Sequence, residues 1–190
     1  MGTRLQRGGP EVAARYRSVL GHFCTGVTVV TGTSPDGPVG FACQAFAALS
    51  LDPPLVLFCP RRTSRSWSAM APAGSFCVNV LAEDQREVSA VFGRAGADKF
   101  AGTSWTPSPT GAPVLDGALT WVDCRVTAVH DEGDHHVVIG SVVELGPVRE
   151  ARPLLFYRGR YASHAELDPR GWSGEVLDNL LTWQRQSEWS

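Results

Sequence analysis

Apolar residues recur along this chain with two different periods, and the shorter period dominates. Residues 27–31 are β-branched and read as a strand. Ser34-Pro35-Asp36-Gly37 follows, with proline presetting φ and glycine free to take φ > 0, so the chain turns there. Residues 39–46 and 55–59 read as the next two strands. Asp52-Pro53-Pro54 separates them and is incompatible with a central strand. Residues 76–81 form another apolar run. Over residues 120–128, Val122, Cys124, Val126 and Ala128 fall on one face of a strand. Asp131-Glu132-Gly133-Asp134 reverses the chain, residues 135–143 return as the partner strand, and residues 154–157 make a last strand.

Helical spacing is confined to a few places. Val12, Tyr16, Val19 and Phe23 recur at steps of three and four, and Pro10 suits a first turn, so residues 10–23 are expected to be helical. Residues 63–70 fit a short helix capped by Thr63 or Ser64. Residues 84–92 fit another, with Gly93 as its C-cap. Val176, Leu177, Leu180 and Leu181 form an apolar stripe for a C-terminal helix. Residues 94–113 read as loop. Six or seven strands joined largely by tight turns, with few helices, predict a mostly β fold: an antiparallel barrel rather than a doubly wound sheet. No G-x-G-x-x-G turn is present, so a dinucleotide would not be held in the Rossmann manner.

Bulk properties narrow the function. The 190 residues suit one domain, or a domain with an extension. A formal net charge of -2 argues against a nucleic-acid partner held by bulk electrostatics. The N-terminal segment has no apolar signal region and no 18-residue apolar run occurs, so a cytoplasmic protein without a membrane span is expected. Cys24, Cys43, Cys59, Cys77 and Cys124 are scattered, with no C-x-x-C pair, and read as small buried hydrophobes. Adjacent His135 and His136 would point to opposite faces of a strand, so no metal site is expected.

No nucleophile–base pair stands out, so the chemistry is expected to reside in something bound. Cys59-Pro60-Arg61-Arg62-Thr63-Ser64-Arg65-Ser66 gathers three hydroxyls and three guanidiniums at a strand-to-helix turn, a cradle for phosphate oxygens. A solvated basic turn is the plainer alternative. Gly40-Phe41-Ala42-Cys43-Gln44-Ala45-Phe46 interleaves small residues with aromatics, which would let a ring approach the backbone; an ordinary core strand fits equally well. His135, at a hairpin end, would donate a hydrogen bond to a ligand amide or stand inert in solvent. Lys99 and Phe100 are candidates for a phosphate and a ring, and Tyr157-Arg158-Gly159-Arg160-Tyr161 for stacking on a second ligand.

Five segments in order resemble the flavin reductase domain family of split-barrel, FMN-binding-like proteins. They are Thr25-Gly26-Val27-Thr28-Val29-Val30-Thr31, Ser50-Leu51-Asp52-Pro53-Pro54-Leu55-Val56-Leu57, Phe76-Cys77-Val78-Asn79-Val80-Leu81, Asp98-Lys99-Phe100 and Gly133-Asp134-His135. Within the family, Gly40 to Gln44 and the Pro153-Leu154-Leu155-Phe156-Tyr157-Arg158-Gly159 run resemble the reductase components of two-component aromatic hydroxylases, those acting on secosteroid phenols among them. The resemblance implies a Greek-key split barrel, taken over residues 1–163; residues 164–190 lie outside the resemblance and are expected, from their apolar stripe, to form a helical extension. It implies a homodimer that reduces FAD, or FMN, with NADH, and supplies a separate flavin-dependent monooxygenase. It places Gly40, Phe41, Ala42, Gln44 and Ala45 on the flavin ring, and Cys59, Pro60, Arg61, Ser64, Arg65 and Ser66 on the ribityl-phosphate portion. Phe92 and Lys99 become further flavin contacts. His135 becomes the catalytic nicotinamide contact, joined by Tyr157, Arg158 and Tyr161. Ala45 stands where many members carry a polar residue, and His136 after the motif is unusual. A flavin- or haem-binding split barrel without turnover is the alternative reading.

Overall fold

The computed structural model describes residues 9–96 and 98–162; the expected C-terminal helix with Val176, Leu177, Leu180 and Leu181 lies outside the described residues. The fold is mostly β, as the short-period pattern predicts. Among the described residues, twelve strand segments form three antiparallel sheets. The largest runs in the order β3 (Gly37–Cys43), β2 (Thr28–Ser34), β6 (Ser75–Val80), β9 (Thr120–Glu132), β10 (His135–Leu145), β5 (Pro54–Phe58), β4 (Phe46–Leu51).

The two edge strands of that sheet, β3 and β4, are consecutive in the chain and separated only by Gln44 and Ala45. Laid flat, six strand spacings would hold them about 29 Å apart. Three Cα steps reach at most about 11 Å. The sheet is therefore rolled until its edges meet at one corner, giving a barrel split between β3 and β4. This is the reason the expected single strand over 39–46 is two strands: the chain leaves one edge and joins the other.

Two apolar clusters form the core. β2 is buried on both faces, and alternation sends Val30 to one cluster and Val29 to the other. Inside the barrel, Phe58 is the hub, with ring centroids 4.8 Å from Phe76 and 5.5 Å from Trp67. The second cluster, with Val27, Leu81, Leu115 and Leu154, lies under helix α3 (Arg86–Gly93), which contributes Phe92. Two buried polar side chains are fully satisfied. Asn79 donates to the Val29 carbonyl and accepts from the Leu115 N–H, and Asp123 accepts from Ser108 Oγ, Thr110 Oγ1 and the Thr110 N–H. They tie a hairpin of β7 (Trp105–Pro107) and β8 (Pro113–Leu115) to the sheet, within the segment whose composition reads as loop.

Other boundaries move for identifiable reasons. Helix α1 (Pro10–Leu20) stops short of Phe23, because His22 and Phe23 bond to the carbonyls three residues back. None of its residues is buried; Tyr16, Val19 and Phe23 are 56%, 56% and 76% exposed. The 84–92 helix begins with a 3-10 turn at Glu83–Gln85, and Gly93 is its last helical residue rather than a left-handed cap. The reversal at 131–134 tightens to two residues, since Glu132 pairs with His135 and Gly133 takes φ 60°. The strand over 154–157 shortens to β11 (Leu155–Tyr157). A tight turn through Arg158 (φ 50°) and Gly159 (φ 81°) returns it as β12 (Arg160–Ala162), and β11 pairs on its other side with β1 (Thr25–Gly26). All five cysteines are free thiols; Cys43, Cys77 and Cys124 are buried as expected, whereas Cys24 and Cys59, at the ends of their apolar runs, are only half-buried. Burial pushes the Cys43 thiol up to about 11 and that of Cys124 to about 12, so both stay protonated.

Gly140 lies where the Phe76 ring crosses β10; a Cβ there would sit 2.4 Å from Phe76 Cζ. Gly140→Ala is expected to lose about 1–3 kcal/mol through overpacking. Gly26→Ala, with nothing within 4 Å, should stay within about 0.5 kcal/mol of wild type. Denaturant melts of the two variants test this, and a wild-type midpoint for Gly140→Ala would show that the Phe76 ring yields.

Candidate active site

The split in the barrel opens into a cleft of about 1220 Å³, larger than the roughly 300–1,000 Å³ typical of a single small-ligand pocket. One wall is β3 and its exit. Gly40, Phe41 and Ala42 line the cleft, followed by the exposed Gln44 and Ala45. Gly40 permits close packing, because a Cβ would lie 2.8 Å from Phe92 Cε1. With only small side chains at Gly40, Ala42 and Ala45, a flat ring system can reach the backbone of this wall.

The basic turn forms the next wall. Pro60, Arg61, Ser64, Arg65 and Ser66 line the cleft, as do Cys59 and Thr63. The Cys59 N–H donates to the Ala45 carbonyl at 3.0 Å, which fastens the turn to the barrel split. Ser64 caps helix α2 (Arg65–Met70), its Oγ accepting from the Trp67 N–H at 3.2 Å. Buried Trp67 and Met70 anchor that helix. At six residues its dipole is small, so an anion at this turn would be held by Arg61, Arg65 and the hydroxyls.

Helix α3 and the loop after it close the far side with Ser89, Phe92, Arg94, Lys99 and Phe100. Lys99 Nζ donates to the Gly40 and Phe92 carbonyls, each at 3.0 Å, and so clamps the loop across both walls. Burial first, then the Arg65 charge, holds its ammonium below the ordinary lysine value. Tyr161 Oη donates to Ser89 Oγ at 2.9 Å, and the Phe156 and Tyr161 rings meet edge to face.

His135 opens β10 and lines the cleft beside Arg61, with which it forms an isolated bridge. Its Nδ1 is 2.7 Å from Asp134 Oδ1. An ionised carboxylate only accepts, so Nδ1 donates to Asp134 and Nε2 is the ring nitrogen left for a ligand. The hydrogen bond from His135 holds the Asp134 carboxyl below the usual carboxylate range.

Fifteen of the residues anticipated from the sequence thus share one cleft, Tyr161 and His135 among them. Tyr157 and Arg158 do not line it. Strand alternation sends Phe156 and Tyr157 to opposite faces, and the Tyr157 ring instead meets His22, 6.2 Å away edge to face. Arg158 occupies the hairpin turn, and its N–H donates to the Gly21 carbonyl. Sequence reasoning missed Phe156, Ser89 and Arg94. Phe156 was open to discovery through the register, since it pairs with Tyr161. Ser89 lies one helical step from Phe92, a spacing too common to single out. Among the described residues, no group of three His, Cys, Asp or Glu side chains is placed to hold a metal.

The donor set suits a flat, phosphate-bearing cofactor: small residues on one wall, and Arg61, Arg65, Arg94 and Lys99 against a single lining acid, Asp98. Such a split barrel with a basic cleft defines a class of flavin-handling oxidoreductases. Residues 20–165 match the flavin reductase like domain, and the chain belongs to that family. It is similar to the reductase subunit HsaB of a flavin-dependent monooxygenase from Rhodococcus jostii, with 54% identity over 178 residues, 92% of this chain and 90% of that protein. An FMN reductase (NADH), SmoA, from Agrobacterium fabrum is 42% identical over 80% of this chain and 87% of its own length. Among solved structures, nitrilotriacetate monooxygenase component B from Mycobacterium thermoresistibile superposes with a TM-score of 0.79 at 53% identity, covering 88% of this chain and 97% of that one. A Streptomyces globisporus NADH:FAD oxidoreductase in complex with NAD and FAD fragments gives a TM-score of 0.79 at 28% identity, covering 88% of this chain and all of that one. The chain is accordingly a flavin reductase.

Lys99→Met keeps the stem and removes the ammonium, leaving the Gly40 and Phe92 carbonyls without their donor. A stability loss of about 1–3 kcal/mol in denaturant melts is expected. An unchanged midpoint would mean that Lys99 is a free surface cation and not a clamp.

Proposed function

We propose that this chain is the NADH-dependent reductase component of a two-component system, reducing FAD and passing it to a separate flavin-dependent monooxygenase that hydroxylates an aromatic substrate. The observation that carries this is the placement of His135 and the basic turn on one cleft with room for two ligands. Relatives named as monooxygenase reductase subunits support the partner. The related oxidoreductase in complex with NAD and FAD fragments supports FAD with NADH. The 42% identical FMN reductase (NADH) supports FMN as the second reading. A carrier without turnover would need no residue like His135 facing the same space as the phosphate cradle.

Bound together, flavin and NADH supply the hydride chemistry themselves. The protein's residues hold and orient. Arg61, Arg65, Ser64 and Ser66 would grip the ribityl-phosphate portion. Gly40, Ala42 and Ala45 would let the ring lie on the backbone, with Phe92 and Lys99 bracing that wall from behind. Asp134 would orient the His135 ring so that Nε2 meets the nicotinamide amide. Tyr161, with Phe156, would flank the nicotinamide. The exposed apolar residues of α1 and the turn after it (Tyr16, Val19, Phe23) have no second layer over them among the described residues, which supports a homodimer.

Initial rates of NADH and NADPH oxidation with added FAD and FMN test the reading. Turnover that scales with free flavin and is fastest for NADH with FAD is expected. No turnover with either flavin would leave only a carrier. In the same assay His135→Ala should raise KM for NADH roughly tenfold, the loss of one hydrogen bond to a bound ligand, while flavin affinity stays within about twofold. An unchanged KM removes His135 from the site. Arg65→Ala with Ser66→Ala should raise the flavin Kd about tenfold or more, and wild-type affinity would refute the cradle.

A further inference from the structure

The tip of the β9–β10 hairpin carries a polar cluster on the face away from the cleft. His135 and His136 are neighbours on β10 and point to opposite sides of it. His136 Nδ1 lies 2.7 Å from Oδ1 of Asp131, its register partner on β9. The other oxygen of the same carboxylate, Oδ2, lies 3.5 Å from Arg62 Nη2. Arg62 belongs to the basic turn. One carboxylate therefore touches both strands of the hairpin and the segment that forms the phosphate cradle.

The backbone follows the same path. The Arg62 N–H donates to the Asp134 carbonyl at 3.0 Å, the His136 N–H donates to the Pro60 carbonyl at 2.9 Å, and Arg61 forms an isolated bridge with His135. Little else holds this end. β5 stops at Phe58, Val129 is 46% exposed, and residues 129–134 are all exposed. Beyond the barrel the hairpin is a two-stranded ribbon, which is marginal without packing. Its direction is set by polar contacts, and a ligand site needs its groups held within about 0.5 Å.

Resting on the flavin reductase reading, we infer that Asp131 is a positioning residue: by joining His136 to Arg62 it locks the hairpin tip onto the basic turn and so fixes His135 relative to Arg61 and Ser64. The two halves of the cleft, one facing the flavin tail and one facing the nicotinamide, then behave as a single rigid frame. Because the Arg62 and Asp131 side chains are half exposed, the pair adds little to global stability, and its removal loosens the tip without unfolding the barrel.

The test is the full-length protein with Asp131→Ala, His135→Ala and both together. The readouts are KM for NADH, kcat at saturation and the thermal midpoint. Asp131→Ala is expected to raise KM about fivefold, with kcat and midpoint near wild type. The decisive arm is the double variant: once His135 is gone its placement no longer matters, so adding Asp131→Ala should leave KM where His135→Ala alone puts it. An unchanged KM in Asp131→Ala, or the same fivefold rise in both backgrounds, overturns the inference while leaving the reductase reading intact. A wild-type protein that oxidises no NADH with either flavin overturns both.

Discussion

The short segment after β5 is stitched on two sides. Its Cys59 N–H bonds to Ala45 at the split of the barrel, while Pro60 and Arg62 bond to His136 and Asp134 at the hairpin tip. The barrel core has already ended at Phe58, so beyond it this segment is held by these backbone bonds together with the buried Pro60. Without it, the wall of small residues, the basic turn and His135 would be three unrelated features of one surface. With it they border one cleft, and both ligands of a flavin reductase reaction can be placed by a single frame.

The split itself follows from chain connectivity. A seven-stranded sheet whose edges are joined by two residues has to roll, and the two joining residues, Gln44 and Ala45, cannot belong to either ladder. Their exposure is a consequence of closure, and it gives the site backbone at a place where a ring can meet it. Lys99 acts against the same opening from the other side, spanning β3 and the end of α3 through two carbonyls. The protein thus combines a rigid barrel with an opening large enough for ligands that enter and leave, as release of a reduced flavin requires.

Much of this was legible in the chain. Turn chemistry at Asp36-Gly37 and Gly133-Asp134 marked hairpins, Ser64 was readable as a cap, and the scarcity of long helical patterns gave a β fold. The family resemblance, resting on five ordered segments, supplied the assignment of residues to ligands. What escaped had physical causes. β4 is an edge strand with exposed residues on both faces, so it shows no alternation. β7 and β8 are held by Asn79 and Asp123, buried polar groups that break the apolar pattern elsewhere and reveal nothing at the hairpin they hold. The α1 stripe has core spacing but no core beneath it. Tyr157 and Arg158 were placed by side-chain type and by the resemblance, and strand register assigns their side of the sheet to His22 and Gly21.

The account stands on simultaneous occupation of one cleft. A crystal structure of the protein with oxidised FAD and NAD⁺ tests this most directly. The account predicts the flavin ring along Gly40 to Ala45, its phosphate among Arg61, Ser64 and Arg65, and the nicotinamide amide at His135 Nε2 with the two rings roughly 3–3.5 Å apart. A flavin bound elsewhere on the barrel, or His135 in solvent away from both rings, would contradict it.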